Sequence, residues 1–271
     1  MELLKDDQQS RIWPDAQPFW LRSTAPAAVI CLHGFMATPY EVKPIAQACN
    51  ARHLDVLVPL LPGHGYREVS QQKQEIAKIS PGHLLRYVRD LVDQVRQDYN
   101  RVGLYGQSMG GALALAIASE GLVDAVAVTA PALKMPWWVE LLLFFLGWSE
   151  LVIDIDFLSQ PFYNPYYKFG SAPATSVLKQ IAEYSQARLG QLHCPVYVAH
   201  SHRDSLIDPV VCEWIRSQAK GPVTIEWFDR SDHTMPLDVQ GPEVATAIGQ
   251  FLQQQLNPPS AESPRAPNTN Q

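Results

Sequence analysis

The stretch "VGLYGQSMGGALALAIASE" (residues 102–120) places Ser108 between two segments of different character. The apolar run before the serine is interpreted as a buried strand, and the Ala/Leu-rich segment after it as a helix. Glycines surround the serine at positions 103, 106, 110 and 111. The cluster has two explanations: a tight strand-to-helix turn that needs small residues, or such a turn that also carries a reactive serine.

Strands and helices alternate on both sides of this stretch. The predicted strands cover residues 27–32, 54–61, 101–106, 123–131, 194–201 and 223–229. The predicted helices cover residues 38–51, a segment beginning at 80–81, the segment after 108, about 210–219 and 241–256. Near-continuous apolar strands that alternate with helices are typical of a parallel sheet with both faces covered. The sequence therefore predicts an α/β fold with a mostly parallel central sheet.

Residues 132–191 interrupt this alternation. The segment is rich in Trp, Phe and Tyr, contains scattered prolines and has no clear strand. We interpret it as a helical cap or lid inserted into an α/β core formed by residues 1–131 and 192–256. The polar, proline-rich tail at 257–271 has nothing to bury and is predicted to be disordered.

The bulk composition argues against several classes of protein. A net charge of −6 and the lack of a Lys/Arg-rich run argue against nucleic-acid binding. The N-terminus lacks the apolar core of a signal peptide. The longest apolar stretch, 137–148, is too short to span a bilayer, which takes about 20 residues. Four cysteines without a Cys-x-x-Cys spacing are interpreted as free thiols, which predicts a cytoplasmic protein: Cys31, Cys49, Cys194 and Cys212.

Gly106-Gln107-Ser108-Met109-Gly110 is a Gly-x-Ser-x-Gly pattern between a predicted strand and a predicted helix. A nucleophile on such a sharp turn needs small residues two positions before and two positions after it. The turn also places the serine at a helix N-terminus, where backbone N–H groups stabilise developing negative charge. This context favours a nucleophilic Ser108 over a purely structural turn.

A serine hydroxyl needs a base to remove its proton, and the base needs a carboxylate to orient it. His233 follows the strand at 223–229, and Asp204 follows the strand at 194–201. Both therefore lie at the carboxyl ends of parallel strands, where open α/β sheets place their ligand sites. Three other acids are less suited to the orienting role. Asp208 is interpreted as a helix cap, Asp232 adjoins His233 but is expected to point elsewhere, and Asp238 is interpreted as a supporting group or a cap.

His33-Gly34-Phe35 follows the first predicted strand. In such folds the oxyanion is bound by one backbone N–H from this loop and by that of the residue after the nucleophile. This assigns the Phe35 and Met109 amides as the oxyanion donors. His33 and His64, the latter in "PGHG", are interpreted as structural histidines.

The pieces "LHGFMATPYE", "LPGHG", "YGQSMGG", "HSHRDSLIDP" and "SDHTMPLD" occur in this order between residues 27 and 256, outside the insertion. In these pieces the chain resembles the alpha/beta-hydrolase superfamily, and within it the bacterial carboxylesterases and monoacylglycerol lipases. The resemblance implies a catalytic triad of Ser108, Asp204 and His233, with oxyanion donors on Phe35 and Met109. It also implies a cap domain after the fourth strand.

The insertion suggests the kind of substrate. The stretch at 137–148 is apolar almost all round any helix, so it is either buried against the core or a lid over an acyl pocket. On the second interpretation its outer face touches a membrane surface transiently. We expect the substrate to be a small-molecule ester or lipid, bound by Phe35, Trp137, Trp138, Leu141, Phe144 and Phe145.

The predicted function is a serine carboxylester hydrolase of the esterase/lipase type, without a cofactor or metal, that acts on esters with a hydrophobic acyl chain, monoacylglycerols included. Thioesterase, amidase and acyltransferase chemistry use the same triad and stay open as alternatives. A non-catalytic ligand-binding protein on the same scaffold is a further alternative. His200, His202 and Asp204 also resemble part of a zinc-ligand motif, although position 205 is a serine.

Overall fold

The computed structural model of the protein describes residues 9–147, 149–154, 156 and 160–257. Its strands in this part of the chain are β1 (Phe19–Leu21), β2 (Ala27–Leu32), β3 (Asp55–Val58), β4 (Arg101–Gln107), β5 (Ala125–Thr129), β6 (Val152–Ile153), β7 (Gly170–Ser171), β8 (Val196–His200) and β9 (Val223–Trp227). The α-helices are α1 (Pro39–Asn50), α2 (Val69–Ile76), α3 (Pro81–Asp98), α4 (Met109–Ala118), α5 (Trp137–Leu146), α6 (Ala172–Gln186), α7 (Val210–Gln218) and α8 (Gly241–Leu256).

Seven of these strands form one sheet in the order β1-β3-β2-β4-β5-β8-β9. Only β1 runs antiparallel, at the edge beside β3, and the other five pairs are parallel. The predicted α/β fold with a mostly parallel sheet is confirmed. The three-residue β1 was not predicted, because its half-buried residues "FWL" are too few to show a period.

The sheet is covered on both faces, which explains why its central strands are apolar at consecutive positions. Along β4, Leu104 packs into a cluster that includes α3 and α4, whereas the next residue, Tyr105, packs into a second cluster with α1 and α8. Successive side chains of a strand point to opposite faces, so both faces need apolar residues. This geometry places the carboxyl ends of β2, β4, β8 and β9 at one edge.

Local signals set the ends of several elements. Ser80 caps α3, since its Oγ accepts a hydrogen bond from the His83 amide at 3.2 Å. Thr38 precedes α1 at the N-cap position but does not cap it with its side chain: it is buried, and its hydroxyl has no partner among the described residues. The strand predicted at 54–61 ends at Val58, because the next residue is Pro59, which has no N–H to donate.

The structure divides the predicted cap segment into two parts with different surroundings. Helix α6 packs into the same core cluster as α4 through Leu178 and Ile181. The Ser185 hydroxyl donates to the Ala112 carbonyl at 2.8 Å. Helix α5 and the short antiparallel pair β6–β7 precede α6 and form the outer part.

The predicted disordered tail lies outside the described residues beyond 257. Within the described part, no helix combines the length and apolarity needed to cross a membrane.

Candidate active site

Ser108 occupies a sharp turn between the end of β4 and the start of α4. Its backbone angles are φ 52° and ψ −114°, a conformation that L-residues rarely adopt. A Cβ atom on Gly106 would lie 2.1 Å from the Gly110 carbonyl oxygen, and one on Gly110 would lie 2.3 Å from the Leu32 carbonyl oxygen. The turn therefore requires glycine at both positions, as the pattern predicts.

The structure brings Ser108, His233 and Asp204 together at the carboxyl edge of the sheet. The Ser108 Oγ lies 2.9 Å from His233 Nε2. The other ring nitrogen of His233, Nδ1, lies 3.0 and 3.1 Å from the two carboxylate oxygens of Asp204. Both His233 and Asp204 side chains are almost completely buried. A hydroxyl, an imidazole and a carboxylate in this sequence form a path along which a proton can leave the serine.

The buried side chains of Asp204 and His233 each stabilise the charged form of the other. Burial alone would raise the pKa of Asp204, but His233 and the amides of Leu206 and Ile207 outweigh it and lower this pKa below its ordinary value. Burial would lower the pKa of His233, but Asp204, followed by Glu41 and Asp232, raises it above its ordinary value. Asp204 is therefore ionised near pH 7, so it accepts from Nδ1–H and leaves Nε2 to accept the serine proton.

The three other acids lie in supporting positions. Asp208 accepts from the Val210 amide at 2.9 Å, at the start of α7. Asp232 accepts from the amides of Ser205 and His233 at 2.8 and 2.7 Å, and so connects the loop of the acid to the loop of the histidine. The Asp238 carboxylate in turn accepts from the Asp232 amide at 2.7 Å.

Gln107 supports the histidine loop from below, a contact that sequence reasoning missed. Its Nε2 donates to the His233 carbonyl oxygen at 2.8 Å, and its Oε1 accepts from the Thr129 hydroxyl. The Thr129 Oγ1 also lies 2.6 Å from the Tyr105 hydroxyl. All of these groups are buried, and each of the polar atoms in this series of hydrogen bonds has a partner. The series therefore fixes the loop that carries His233.

The backbone amides of Phe35 and Met109 are the predicted oxyanion donors. Phe35 lies in the loop after β2, and Met109 is the first residue of α4. Among the described residues, neither amide donates to a protein acceptor. Both are therefore available to a negatively charged oxygen bound at Ser108.

A cavity of about 170 Å³ opens beside Ser108 and His233. Its walls are mainly apolar and come from the loop after β2 and from α5, β6, β7 and α6. Phe35 and Trp138, two of the predicted substrate contacts, line it. The other α5 residues in its wall were not among the predicted contacts: Val139, Leu142 and Leu143.

Four predicted substrate contacts do not line this cavity. Trp137, Leu141, Phe144 and Phe145 lie on the outward face of α5, with exposed fractions between 51% and 79%. Their positions repeat with helical spacing, as do those of the cavity-lining residues on the opposite face. Their role as substrate contacts stays a prediction. The sequence pattern does not select one face of α5, because the helix is apolar on both sides.

The residues of the zinc-like motif point to different partners. His202 Nδ1 lies 3.0 Å from the Asp229 carboxylate, whereas Asp204 is paired with His233. Among the described residues, no group of three or more His, Cys, Asp or Glu side chains is arranged to hold a metal ion.

Comparison with known proteins places this architecture in a family. Residues 29–247, most of the chain, match the family model described as the alpha/beta hydrolase family. The chain belongs to this family. A thermostable monoacylglycerol lipase of Bacillus sp. (strain H-257) is 25% identical to this alpha/beta hydrolase over 264 residues, or 90% of this chain and 97% of that protein. A carboxylesterase of Bacillus subtilis (strain 168) is 19% identical over 83% of this chain and 92% of that protein.

Solved structures show the same fold. A metagenome-derived lipolytic enzyme superposes on this alpha/beta hydrolase with a TM-score of 0.80 at 20% identity, covering 90% of this chain and 100% of that one. The monoacylglycerol lipase of Paleococcus ferrophilus superposes with a TM-score of 0.71 at 16% identity, covering 88% and 98%.

Proposed function

We propose that this protein is a serine carboxylester hydrolase for esters with a hydrophobic acyl chain, monoacylglycerols among them. The observation that carries the proposal is the 2.9 Å contact between Ser108 Oγ and His233 Nε2, with Asp204 on the opposite ring nitrogen. This arrangement lies at the wall of an apolar cavity. A buried nucleophile–base–acid series beside an apolar cavity suits acyl transfer from a hydrophobic ester.

In the proposed mechanism, Ser108 Oγ attacks the ester carbonyl carbon while its proton passes to His233 Nε2. The carbonyl π electrons move to the oxygen, which the Phe35 and Met109 amides stabilise by roughly 3 kcal/mol per donor. Asp204 orients the ring and stabilises the imidazolium. When the tetrahedral intermediate collapses, His233 returns the proton to the departing alcohol. Water, deprotonated by His233, then attacks the carbonyl carbon of the acyl-enzyme. His233 returns this proton to Ser108 Oγ as the bond between Oγ and the acyl carbon breaks and the acid is released.

The apolar cavity and the similarity to lipases support the choice of acyl group. The walls near Ser108 include Met135, Leu142, Leu178 and Ile207, which offer an acyl chain no hydrogen-bonding partner. A hydrocarbon chain gains about 0.8 kcal/mol per buried methylene in such surroundings. The similar Bacillus protein is a monoacylglycerol lipase, which supports a glyceride among the substrates.

The outward face of α5 supports a transient contact with a lipid surface. Trp137 and Phe144 are 75% and 79% exposed, and Leu141 and Phe145 on the same face are 51% and 60% exposed. Trp, Phe and Leu are the side chains that membrane-surface helices insert into the interfacial region of a bilayer. Because the other face of α5 lines the cavity, such contact would bring a lipid substrate close to Ser108.

The four cysteines support a reducing compartment such as the cytoplasm. All of them are free thiols, and Cys31, Cys49 and Cys212 are buried. Burial raises the pKa of Cys49 and of Cys212 to about 12, so both stay protonated near pH 7. They pack as small apolar side chains.

The test is a series of nitrophenyl esters of increasing chain length, combined with labelling by a fluorophosphonate. We expect wild-type protein to be labelled and to prefer medium or long chains, and Ser108→Ala to be neither labelled nor active. A clear preference for the acetate would contradict the hydrophobic-acyl proposal. Labelling without hydrolysis of any ester, but with turnover of thioesters or amides, would replace the ester by that substrate.

A further inference from the structure

The loop Gly34–Met36 is held by hydrogen bonds to the backbone groups of Gly34 and Met36. The Gly34 amide donates to Glu41 Oε2 at 2.6 Å, and the Gly34 carbonyl oxygen lies 2.9 Å from His33 Nδ1. The Met36 amide donates to His64 Nε2 at 3.0 Å. Of the three amides in this loop, only that of Phe35 donates to no described protein acceptor. The side chains around the loop thus leave free the one amide needed at the reaction centre.

His33 and His64 act in this loop as neutral side chains. His33 Nε2 accepts from the Leu61 amide at 3.0 Å, so its Nδ1 carries the proton that is donated to Gly34. His64 Nδ1 lies 2.9 Å from the Pro62 carbonyl oxygen, so its Nε2 is free to accept from Met36. Burial lowers the pKa of both histidines, that of His64 to about 4.

Glu41 is the third group and differs from the histidines because it can carry a negative charge. It lies on α1, is only 4% exposed and lines the same cavity as Ser108. A Cβ atom on Gly34 would lie 3.0 Å from Glu41 Oε2 and 3.4 Å from the Ser108 Cβ. A side chain at position 34 would therefore contact both the Glu41 carboxyl group and the nucleophile, which shows how close the loop lies to both of them.

A buried carboxylate is unfavourable unless specific groups stabilise it. Burial raises the pKa of Glu41 to about 7, while the Gly34 amide, His233 and the Asn164 side chain act in the opposite direction. Asn164 is itself buried, and its Oδ1 has no partner among the described residues. After rotation of its amide, Asn164 could accept from a glutamine at position 41, which makes that substitution a well-matched test.

We propose that Glu41 is a positioning residue of the reaction, which holds the Gly34 amide so that the adjacent Phe35 N–H faces the oxygen that becomes negatively charged at Ser108. The inference rests on the proposed function. Glu41 itself does not touch the reacting atoms. Its effect passes through the loop, so it acts on the transition state more than on the bound ester.

The experiment compares Glu41→Leu, which removes the acceptor, with Glu41→Gln, which keeps one. Val42→Ala is the matched control. Val42 is the next residue on α1, is fully buried, and packs in the core cluster between the sheet and helices α1 and α8, away from the cavity. Each folded variant is assayed for kcat and KM with a nitrophenyl ester. Inhibition by a trifluoromethyl ketone, whose carbonyl becomes an oxyanion when Ser108 adds to it, is measured in parallel.

We expect Glu41→Leu to lower kcat by about tenfold or more with little change in KM, a part of the 10²–10³ lost with a whole donor. Its affinity for the ketone should fall by the same factor as kcat/KM. Glu41→Gln should stay within about threefold of wild type. Val42→Ala should unfold at a lower urea concentration than wild type but keep the wild-type kcat and affinity for the ketone.

Three results would overturn the inference: wild-type kcat in Glu41→Leu, an effect of Glu41→Leu on KM alone, or equal losses in Glu41→Leu and Glu41→Gln. The second result would indicate that Glu41 contacts the substrate. The third would indicate that activity depends on the negative charge of Glu41 and not on its hydrogen bond to Gly34. Failure of the proposed function would look different, because wild-type protein itself would then neither react with a fluorophosphonate nor hydrolyse esters.

Discussion

Gln107 donates a hydrogen bond to the backbone carbonyl of His233, 126 positions later in the chain, at 2.8 Å. The residue immediately before the proposed nucleophile therefore supports the loop that carries its proposed base. Since Gln107 also accepts from Thr129 on the neighbouring strand, the contact ties β4, β5 and the histidine loop together.

Gln107→Leu should lower both activity and stability. The substitution leaves the His233 carbonyl and the Thr129 hydroxyl without this partner. Each buried unsatisfied group lowers the free energy of unfolding by about 1–3 kcal/mol. We expect kcat to fall about tenfold or more, as His233 loses its fixed position. Steady-state kinetics and urea unfolding check this. Thr129→Val serves as the control. It removes the hydrogen bond between Thr129 and Gln107 but keeps the one between Gln107 and His233, so it should keep most of kcat.

Ser108→Ala should abolish turnover but leave the fold intact. We expect kcat to fall by at least about 10³, with circular dichroism unchanged. Ser108→Gly should be equally inactive yet more stable than Ser108→Ala by about 1 kcal/mol, because glycine adopts the positive φ of this turn without strain. Thermal unfolding of the two variants measures the difference. Equal stability would contradict the presence of strain at this position.

The pH dependence of kcat/KM should have an acidic limb set by His233. The base must be neutral to take the serine proton, and Asp204 raises its pKa above the ordinary value. Activity should therefore fall as the pH decreases through a midpoint above about 6.5. In Asp204→Asn this midpoint should move to lower pH, and kcat should fall about 10⁴-fold. An unchanged midpoint would show that another group sets the limb.

The two faces of α5 should respond differently to substitution. Leu143→Trp, which places a larger side chain in the cavity wall, should reduce turnover of long-chain esters more than that of the acetate. Phe144→Ser, on the outward face, should leave turnover of dissolved short esters unchanged but weaken binding to phosphatidylcholine–phosphatidylglycerol vesicles. Val69→Ser, an exposed apolar position on α2, is the control in a vesicle sedimentation assay.

His64 should make the folded state sensitive to acid. Burial lowers its pKa from 6.5 to about 4, so the unfolded chain takes up a proton before the folded one. The free energy of unfolding should thus fall by roughly 3 kcal/mol from this residue as the pH decreases from above 6.5 to below 4. Urea unfolding at several pH values should show a smaller decrease in His64→Gln. An identical decrease in both proteins would exclude His64 as a source.

The edge of the sheet at which the parallel strands end could be predicted from sequence, and with it the proximity of Ser108, Asp204 and His233, although the strand predicted at 54–61 ends at Val58. Parallel strands bring their carboxyl ends to one edge, so chain order and the strand pattern were sufficient there. Gln107 and Glu41 could not be found in this way, because their partners are fixed by tertiary packing. The orientation of α5 was also beyond the pattern, since a helix that is apolar on all sides has no preferred buried face.

Both ends of the segment that carries α5 are attached to the turn and helix that carry Ser108. The Ala132 amide donates to the Ser108 carbonyl oxygen at 3.0 Å, and Ser185 at the far end donates to Ala112 on α4. The two hydrogen bonds thus join both ends of this segment to the same turn and helix. We therefore expect that residues of α5 and β6 can be replaced to change the substrate range of the proposed enzyme, because Gln107, Asp232 and Glu41, which support the proposed triad and oxyanion loop, lie outside this segment.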